Sequence, residues 1–137
     1  MVYLGLDLGT KTLGISKSNG VIATFYKTIR HEENYDYLID ELKKIIELEH
    51  VDIVVLGYPK NMNNTLGDAV ERTISFKDKL EQKVNMEVHL VDERLSTVEA
   101  ENYLINEDMR REDRKKVIDA VAASIILDTY LRMNKGE

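Results

Sequence analysis

At 137 residues, 43% hydrophobic and 32% charged, the chain has the size and make-up of one domain over 1–137 with one core, and no repeat or low-complexity tract divides it. Zero cysteines exclude disulfides and thiolate metal sites, and three scattered histidines lack zinc-ligand spacing, so any bound metal would be held by oxygen. A formal net charge of −6 argues against nonspecific coating of nucleic acid, which depends on lysine and arginine, but it is compatible with a carboxylate-built site served by a local basic strip.

Residues 3–8 alternate, with Leu4, Leu6 and Leu8 on one side and Tyr3, Gly5 and Asp7 on the other, which predicts a strand. A second apolar stretch around Leu13 to Ser16 leads to Asn19-Gly20 and then to Val21, Ile22, Ala23, Thr24, Phe25 and Tyr26. Asn-Gly favours a two-residue type I′ turn, so a hairpin is expected and the chain should open with three antiparallel strands. After Asn34 as N-cap, the helical spacing of Leu38, Leu42, Ile45 and Ile46 predicts an amphipathic helix that stops near His50. Val51 to Leu56 is a nearly unbroken apolar run closed by Gly57 and the single proline, Pro59, as in a parallel strand buried on both faces.

Thr65 and Asp68 have capping-box spacing ahead of a helix through Ala69, Thr73, Phe76 and Leu80. Met86 to Val91 reads as another strand. Ser96 and Glu99 repeat the capping spacing before a short helix to about Asn106, and a last helix is expected from about Lys116 to Leu131. The order βββαβαβαα gives an α/β fold and puts two later strands in parallel contact with the first. No apolar stretch approaches the ~20 residues that span a bilayer, and the first residues lack a signal peptide's layout. The expected setting is therefore the cytoplasm, with no membrane partner.

Four acids on three elements stand out. Asp7 lies within the first strand, where burying a carboxylate is costly without a partner or a cation, and Gly5 and Gly9 beside it let backbone or phosphate approach. A turn-capping role for Asp7 at Gly9-Thr10 is the alternative. Asp92 and Glu93 follow an apolar strand at its carboxyl end, the side on which open α/β sheets form sites; alternation places them on opposite faces without choosing between them. A locally salt-bridged acidic loop with Arg94 is the competing explanation, and Arg94 is equally able to contact phosphate. Asp119 shares a helical stripe with Ala122, Ala123 and Ile126, small enough for the helix to lie close to a sheet, though an acid near a helix start also suits the macrodipole.

Three acids on three elements match what a two-metal phosphodiesterase needs, namely hard oxygen ligands for Mg²⁺ or Mn²⁺. Arg110, Arg111, Arg114, Lys115 and Lys116 form the strongest basic cluster in this acidic chain and lead directly to Asp119, although such runs are often solvated loops. Gly57, Pro59, Lys60 and Asn61 form a second candidate rim for nucleic acid, or simply a turn.

The segments Leu4-Gly-Leu-Asp-Leu-Gly-Thr-Lys-Thr-Leu-Gly14, Gly57-Tyr-Pro-Lys-Asn-Met62, Asp92-Glu-Arg-Leu-Ser-Thr97 and Arg114-Lys-Lys-Val-Ile-Asp-Ala-Val-Ala-Ala123 together resemble the YqgF family over nearly the whole chain. Members were long grouped with Holliday junction resolvases through the RuvC fold and are now generally described as nucleases that mature the 5′ end of pre-16S ribosomal RNA. The resemblance implies an RNase H-like fold with a mixed five-stranded sheet, three antiparallel strands then two parallel, flanked by helices. It places the acidic motif on Asp7, Glu93 and Asp119, so Glu93 is favoured over Asp92.

The implied partner is pre-rRNA or branched DNA, in a ribosomal precursor particle for the former. A single site suits a monomer trimming RNA, whereas junction resolution asks for two symmetric sites, as in a homodimer. Thr12 replaces an arginine common in the family, which shifts phosphate contact toward Lys11, and Asn19 stands where Asp often follows the serine. Asp-x-Gly-Thr also resembles the phosphate turn of the actin and sugar-kinase superfamily, but those proteins close two such domains around ATP and this chain has room for one. A noncatalytic RNA-binding factor on the same fold is the third reading.

Overall fold

Alternating leucines put one apolar face on the first strand, and that face organises the sheet. The computed structural model describes residues 1–9, 11–32, 34–58, 68–92 and 122–133. Strand β1 (Tyr3–Leu8) turns into β2 (Thr12–Ser18), and β3 (Ala23–Arg30) completes an antiparallel meander. Helix α1 (Tyr35–Glu49) follows, then β4 (Ile53–Tyr58), α2 (Asp68–Val84), β5 (Val88–Asp92) and a helix α3 over residues 122–133.

The strand order is β3-β2-β1-β4-β5, with β4 parallel to β1 and β5 parallel to β4. The expected mixed five-stranded sheet is thus present, with one correction. Only β4 touches β1, because β2 already occupies the other edge of β1, so β5 pairs with β4.

The Asn-Gly hairpin also differs from expectation. Ser18 pairs with Ala23, so residues 19–22 all lie in the loop and Val21 and Ile22 are exposed outside the strand. Of the pair, Gly20 takes the positive φ of 108°, while the Asn19 side chain accepts from the Val21 amide (3.2 Å) and Ser18 Oγ from the Gly20 amide (3.0 Å). Side-chain bonds to the backbone stabilise this longer loop in place of the type I′ turn. The register also shifts between Ile15 and Ser16, where Ile15 pairs with Lys27 and Ser16 with Phe25.

Helix α1 forms where the periodicity placed it. The Asn34 side chain caps the Tyr37 amide at 3.1 Å, and His50 closes the other end in the left-handed conformation with its amide on the Ile46 carbonyl. Its buried stripe of Leu38, Leu42, Ile45 and Ile46, with Phe76 and Leu80 of α2, covers Leu4, Leu6, Leu13, Ile15, Val54, Leu56 and Val88. On the opposite face of the sheet, Ile126, Leu127 and Leu131 of α3 pack with Val55 and Val91. Helices therefore cover both faces. The expected capping residue Thr65, the short helix after Ser96 and the start of the last helix lie outside the described residues.

Glu81 ties α2 to the start of β5. Its carboxylate accepts from the Val88 amide at 2.8 Å and from Lys77 Nζ at 3.0 Å, and these bonds, the Val88 amide first, hold its pKa below the ordinary 4.5. A depressed carboxylate pKa contributes stability that is full above the unfolded value and is lost as pH falls through the folded value. Glu81→Gln keeps an acceptor oxygen but cannot titrate. Its melting temperature should therefore lie ~2–3 °C below wild type at neutral pH, about 1 kcal/mol, and the gap should close as pH falls below about 4. Melting curves from pH 7 to pH 3 check this; a gap that stays constant across the range would remove Glu81 from the acid response.

Candidate active site

On the face covered by α3, β1 presents Tyr3, Gly5 and Asp7, and the middle of these fixes the helix. An added Cβ at Gly5 would stand 2.5 Å from Ser16 Oγ, 2.7 Å from Leu127 Cβ and 3.1 Å from the Ala123 carbonyl oxygen. Helix α3 therefore rests on bare backbone. Ser16, fully buried in the β2 partner position of Gly5, donates from Oγ to the Ala123 carbonyl at 2.7 Å and pins the helix at that point. Ala123 is buried at this contact and Ala122 beside it in the chain is buried too, as their stripe in the sequence predicts.

Two residues farther along β1, Asp7 is half-buried and lies opposite Gly14 of β2. On the other side, one step beyond the Leu6–Leu56 pair of the parallel ladder, the neighbour in β4 is Gly57. Both flanking positions lack side chains, and both glycines are buried. With Gly5 and Gly9 before and after it in the chain, Asp7 is surrounded by positions that carry no side chain. Gly57 pairs in turn with Val91 and Tyr58 with Asp92, so β1, β4 and β5 end along one edge. His89 and Val91 lie on the α3 side, where the His89 ring is 5.5 Å from Tyr130 and Val91 packs with Leu127 and its neighbours.

Lys11 is exposed on the β1–β2 turn, near Asp7 in the chain. The backbone of Asp92 is placed as the last residue of β5. Glu93, Asp119, Lys60, Asn61, Arg94, Arg111, Arg114 and Lys115 lie outside the described residues. Among the described residues no three acids or histidines are grouped as metal ligands are. Three contributors escaped the sequence reading as site elements: Gly14 beside Asp7, Ser16 under the helix, and His31, which bonds the Gly9 carbonyl. An isolated buried serine within an apolar strand is a signal that pattern reading passes over; the pairing partner of Asp7 has none until the register is known.

Residues 1–133 match the family model described as "RuvX: Holliday junction resolvase". A Geobacillus kaustophilus protein named "Putative pre-16S rRNA nuclease" is 48% identical over 134 residues, covering 96% of this chain and 97% of that one. Among solved structures, Thermus thermophilus RuvC in complex with a Holliday junction substrate is similar with a TM-score of 0.60 at 15% identity, over 97% of this chain and 96% of that one. A ROK hexokinase from the same organism is similar at a TM-score of 0.51 and 16% identity, but over 75% of this chain and 39% of the hexokinase. At such identities these structures speak to fold alone, and the fold is RNase H-like, as expected. No helix among the described residues is long and apolar enough to cross a membrane.

The Gly5 contact has a direct consequence for stability. Gly5→Ala forces Ser16, Leu127 or the α3 backbone to move and should cost about 1–3 kcal/mol, a drop of several degrees in melting temperature. Ser16→Ala at the same contact loses one buried hydrogen bond and should cost about 1 kcal/mol. Thermal melts of both variants test the packing; a Gly5→Ala protein as stable as wild type would mean that α3 is not seated on β1 as described.

Proposed function

The chain belongs to the RuvX family of Holliday junction resolvases, the YqgF family of the sequence motifs, and from that premise we propose that it is a metal-dependent nuclease acting in the 5′-end maturation of pre-16S rRNA. The observation that carries the proposal is the setting of Asp7, a half-buried carboxylate with glycines, Gly14 and Gly57, on the neighbouring strands at the edge where β1, β4 and β5 end. A carboxylate placed where neither flanking strand contributes a side chain suits a hard cation and its phosphate better than it suits a packed core.

Glu93 and Asp119 complete the proposed ligand set. His89 and Val91 lie on the α3 side, and the next position in that alternation is 93, which supports Glu93 over Asp92 as the primary ligand, with Asp92 as an additional candidate. Asp119 precedes Ala123 by four residues, the spacing of neighbours on one helix face, and Ala123 is the residue held against β1 beside Gly5. The donor set is all oxygen, in a chain without cysteine, and this fits Mg²⁺ or Mn²⁺. When bound, such an ion supplies Lewis-acid chemistry, activating water and stabilising the leaving oxygen of the phosphodiester.

The chain's own part is to present Asp7 from β1, with Glu93 directly after β5 and Asp119 shortly before α3 in sequence, and to keep the backbone beside Asp7 low enough for a phosphate to approach. Lys11, Lys60, Asn61, Arg94, Arg111, Arg114 and Lys115 are the proposed contacts to the nucleic-acid backbone, and they set register without reading sequence. The working place is the cytoplasm and the partner a ribosomal precursor particle. The family description favours one second substrate, branched DNA, which would require a homodimer with paired sites.

Asp7→Asn, Glu93→Gln and Asp119→Asn each remove one hard ligand at nearly constant volume. Each should lower Mn²⁺-dependent cleavage of a pre-16S 5′ leader by at least about 100-fold while the far-UV spectrum stays native. The same assay on a four-way DNA junction separates the two substrates. A folded Asp7→Asn protein cutting near the wild-type rate would refute the metal-site assignment, and RNA binding without cleavage, unchanged in Asp7→Asn, would favour a noncatalytic assembly factor.

A further inference from the structure

His31 lies between β3 and α1, close to the exposed Glu32 and Asn34, yet it is only 3% exposed. Arg30 and Glu32 on either side are exposed. Burying an imidazole in such a connection calls for a reason, and two of its hydrogen bonds supply one. The backbone amide of His31 donates to the Lys11 carbonyl at 2.9 Å, and Nε2 lies 3.0 Å from the Gly9 carbonyl oxygen. A carbonyl only accepts, so Nε2 carries the proton in this contact. One residue thereby holds two carbonyls of the β1–β2 turn, which the Gly9 amide closes onto the Thr12 carbonyl at 2.8 Å.

The ring is itself wedged in place. It lies 5.5 Å from the Tyr35 ring at the start of α1, and Tyr35 meets Phe76 of α2 edge-on at 5.9 Å. The chain turns sharply after His31, with Glu32 at a φ of 48° and the Asn34 amide on the His31 carbonyl at 2.8 Å. A left-handed non-glycine residue costs about 1 kcal/mol or more, so the surrounding contacts hold it there. The strain falls beside the residue that grips the turn.

We propose that His31 is a positioning residue: through Gly9 and Lys11 it locks the β1–β2 turn to the α1–α2 core and so fixes the aim of Asp7, two residues before Gly9. The inference rests on the nuclease reading for its effect on catalysis, while the clamp itself is a statement about the turn. His31 touches no substrate in this account. It acts through the backbone that carries Asp7, and displacement of a catalytic group by about 1 Å is enough to cost roughly 100-fold in rate.

Two variants separate the ring's bulk from its N–H. His31→Phe keeps an aromatic ring against Tyr35 and loses the donor, whereas His31→Gln places an amide donor near Nε2. With Mn²⁺ and a pre-16S 5′ leader, His31→Phe should lose about 10- to 100-fold in kcat with KM within about twofold, and His31→Gln should recover most of it. Hydrogen exchange at the Gly9 amide should be about tenfold faster in His31→Phe and near wild type in His31→Gln. Should His31→Phe not fold, His31→Leu takes its place in both comparisons. Wild-type exchange and kcat in the variant without a donor would overturn the proposal, as would a folded His31→Gln no better than it. If the wild-type protein cuts neither RNA nor a junction, the nuclease reading fails, and the Gly9 exchange rates alone decide whether the clamp exists.

Discussion

The candidate site depends on how near α3 can come to β1, and that approach is set by the missing side chain at Gly5. With Leu127 Cβ and the Ala123 carbonyl close to where a Cβ would stand, the helix is seated at the depth that bare backbone permits. Ser16 then fixes its position along the strand with one buried hydrogen bond. In the proposed site the sheet contributes Asp7 and the sequence just before α3 contributes Asp119, so the separation of β1 and α3 is the dimension on which any shared cation would depend. Rigid elements hold such a constellation better than loops do.

The proposed role of Asp7 carries a cost. Carboxylates gathered about 5 Å apart repel by roughly 3 kcal/mol per pair at an effective dielectric near 20, less where water reaches them. A fold tolerates that expense where a cation offsets it, and the positions on both sides of Asp7 are glycines, which add no side chain there. The turn after β1 matters as well. It carries Gly9 and Lys11, and bonds from His31 hold both of their carbonyls.

Local chemistry was legible in the sequence and long-range pairing was not. The leucines of β1, the Asn34 cap and the helical stripe of α1 depend on neighbours a few residues away, and they appear in the structure as patterned. The Asn19-Gly20 turn shows the limit of that logic, since bonds from Asn19 and Ser18 side chains support a longer loop than the dipeptide's preference implies. Asp7 was identifiable as an acid in an apolar strand, but its flanking Gly14 and Gly57 emerge only from strand register. The Ser16 bond joins residues 107 positions apart, which no periodicity encodes. Parallel contact of both later strands with β1 failed for a simple reason: a strand has two edges, and β2 had taken one. The choice of Glu93 over Asp92 came from resemblance to a family, and Glu93 lies outside the described residues.

The central claim is that Asp7 belongs to a cluster of carboxylates built for a divalent ion. Melting wild type and Asp7→Asn in EDTA and again in millimolar Mn²⁺ tests it without reference to any substrate. A cation that binds only the folded state stabilises by mass action, so wild type should gain several degrees with Mn²⁺ while Asp7→Asn gains little, and in EDTA the variant should melt higher because one repelling charge is gone. A wild-type protein indifferent to Mn²⁺, with Asp7→Asn less stable than wild type in EDTA, would contradict the account and return Asp7 to a turn-capping role.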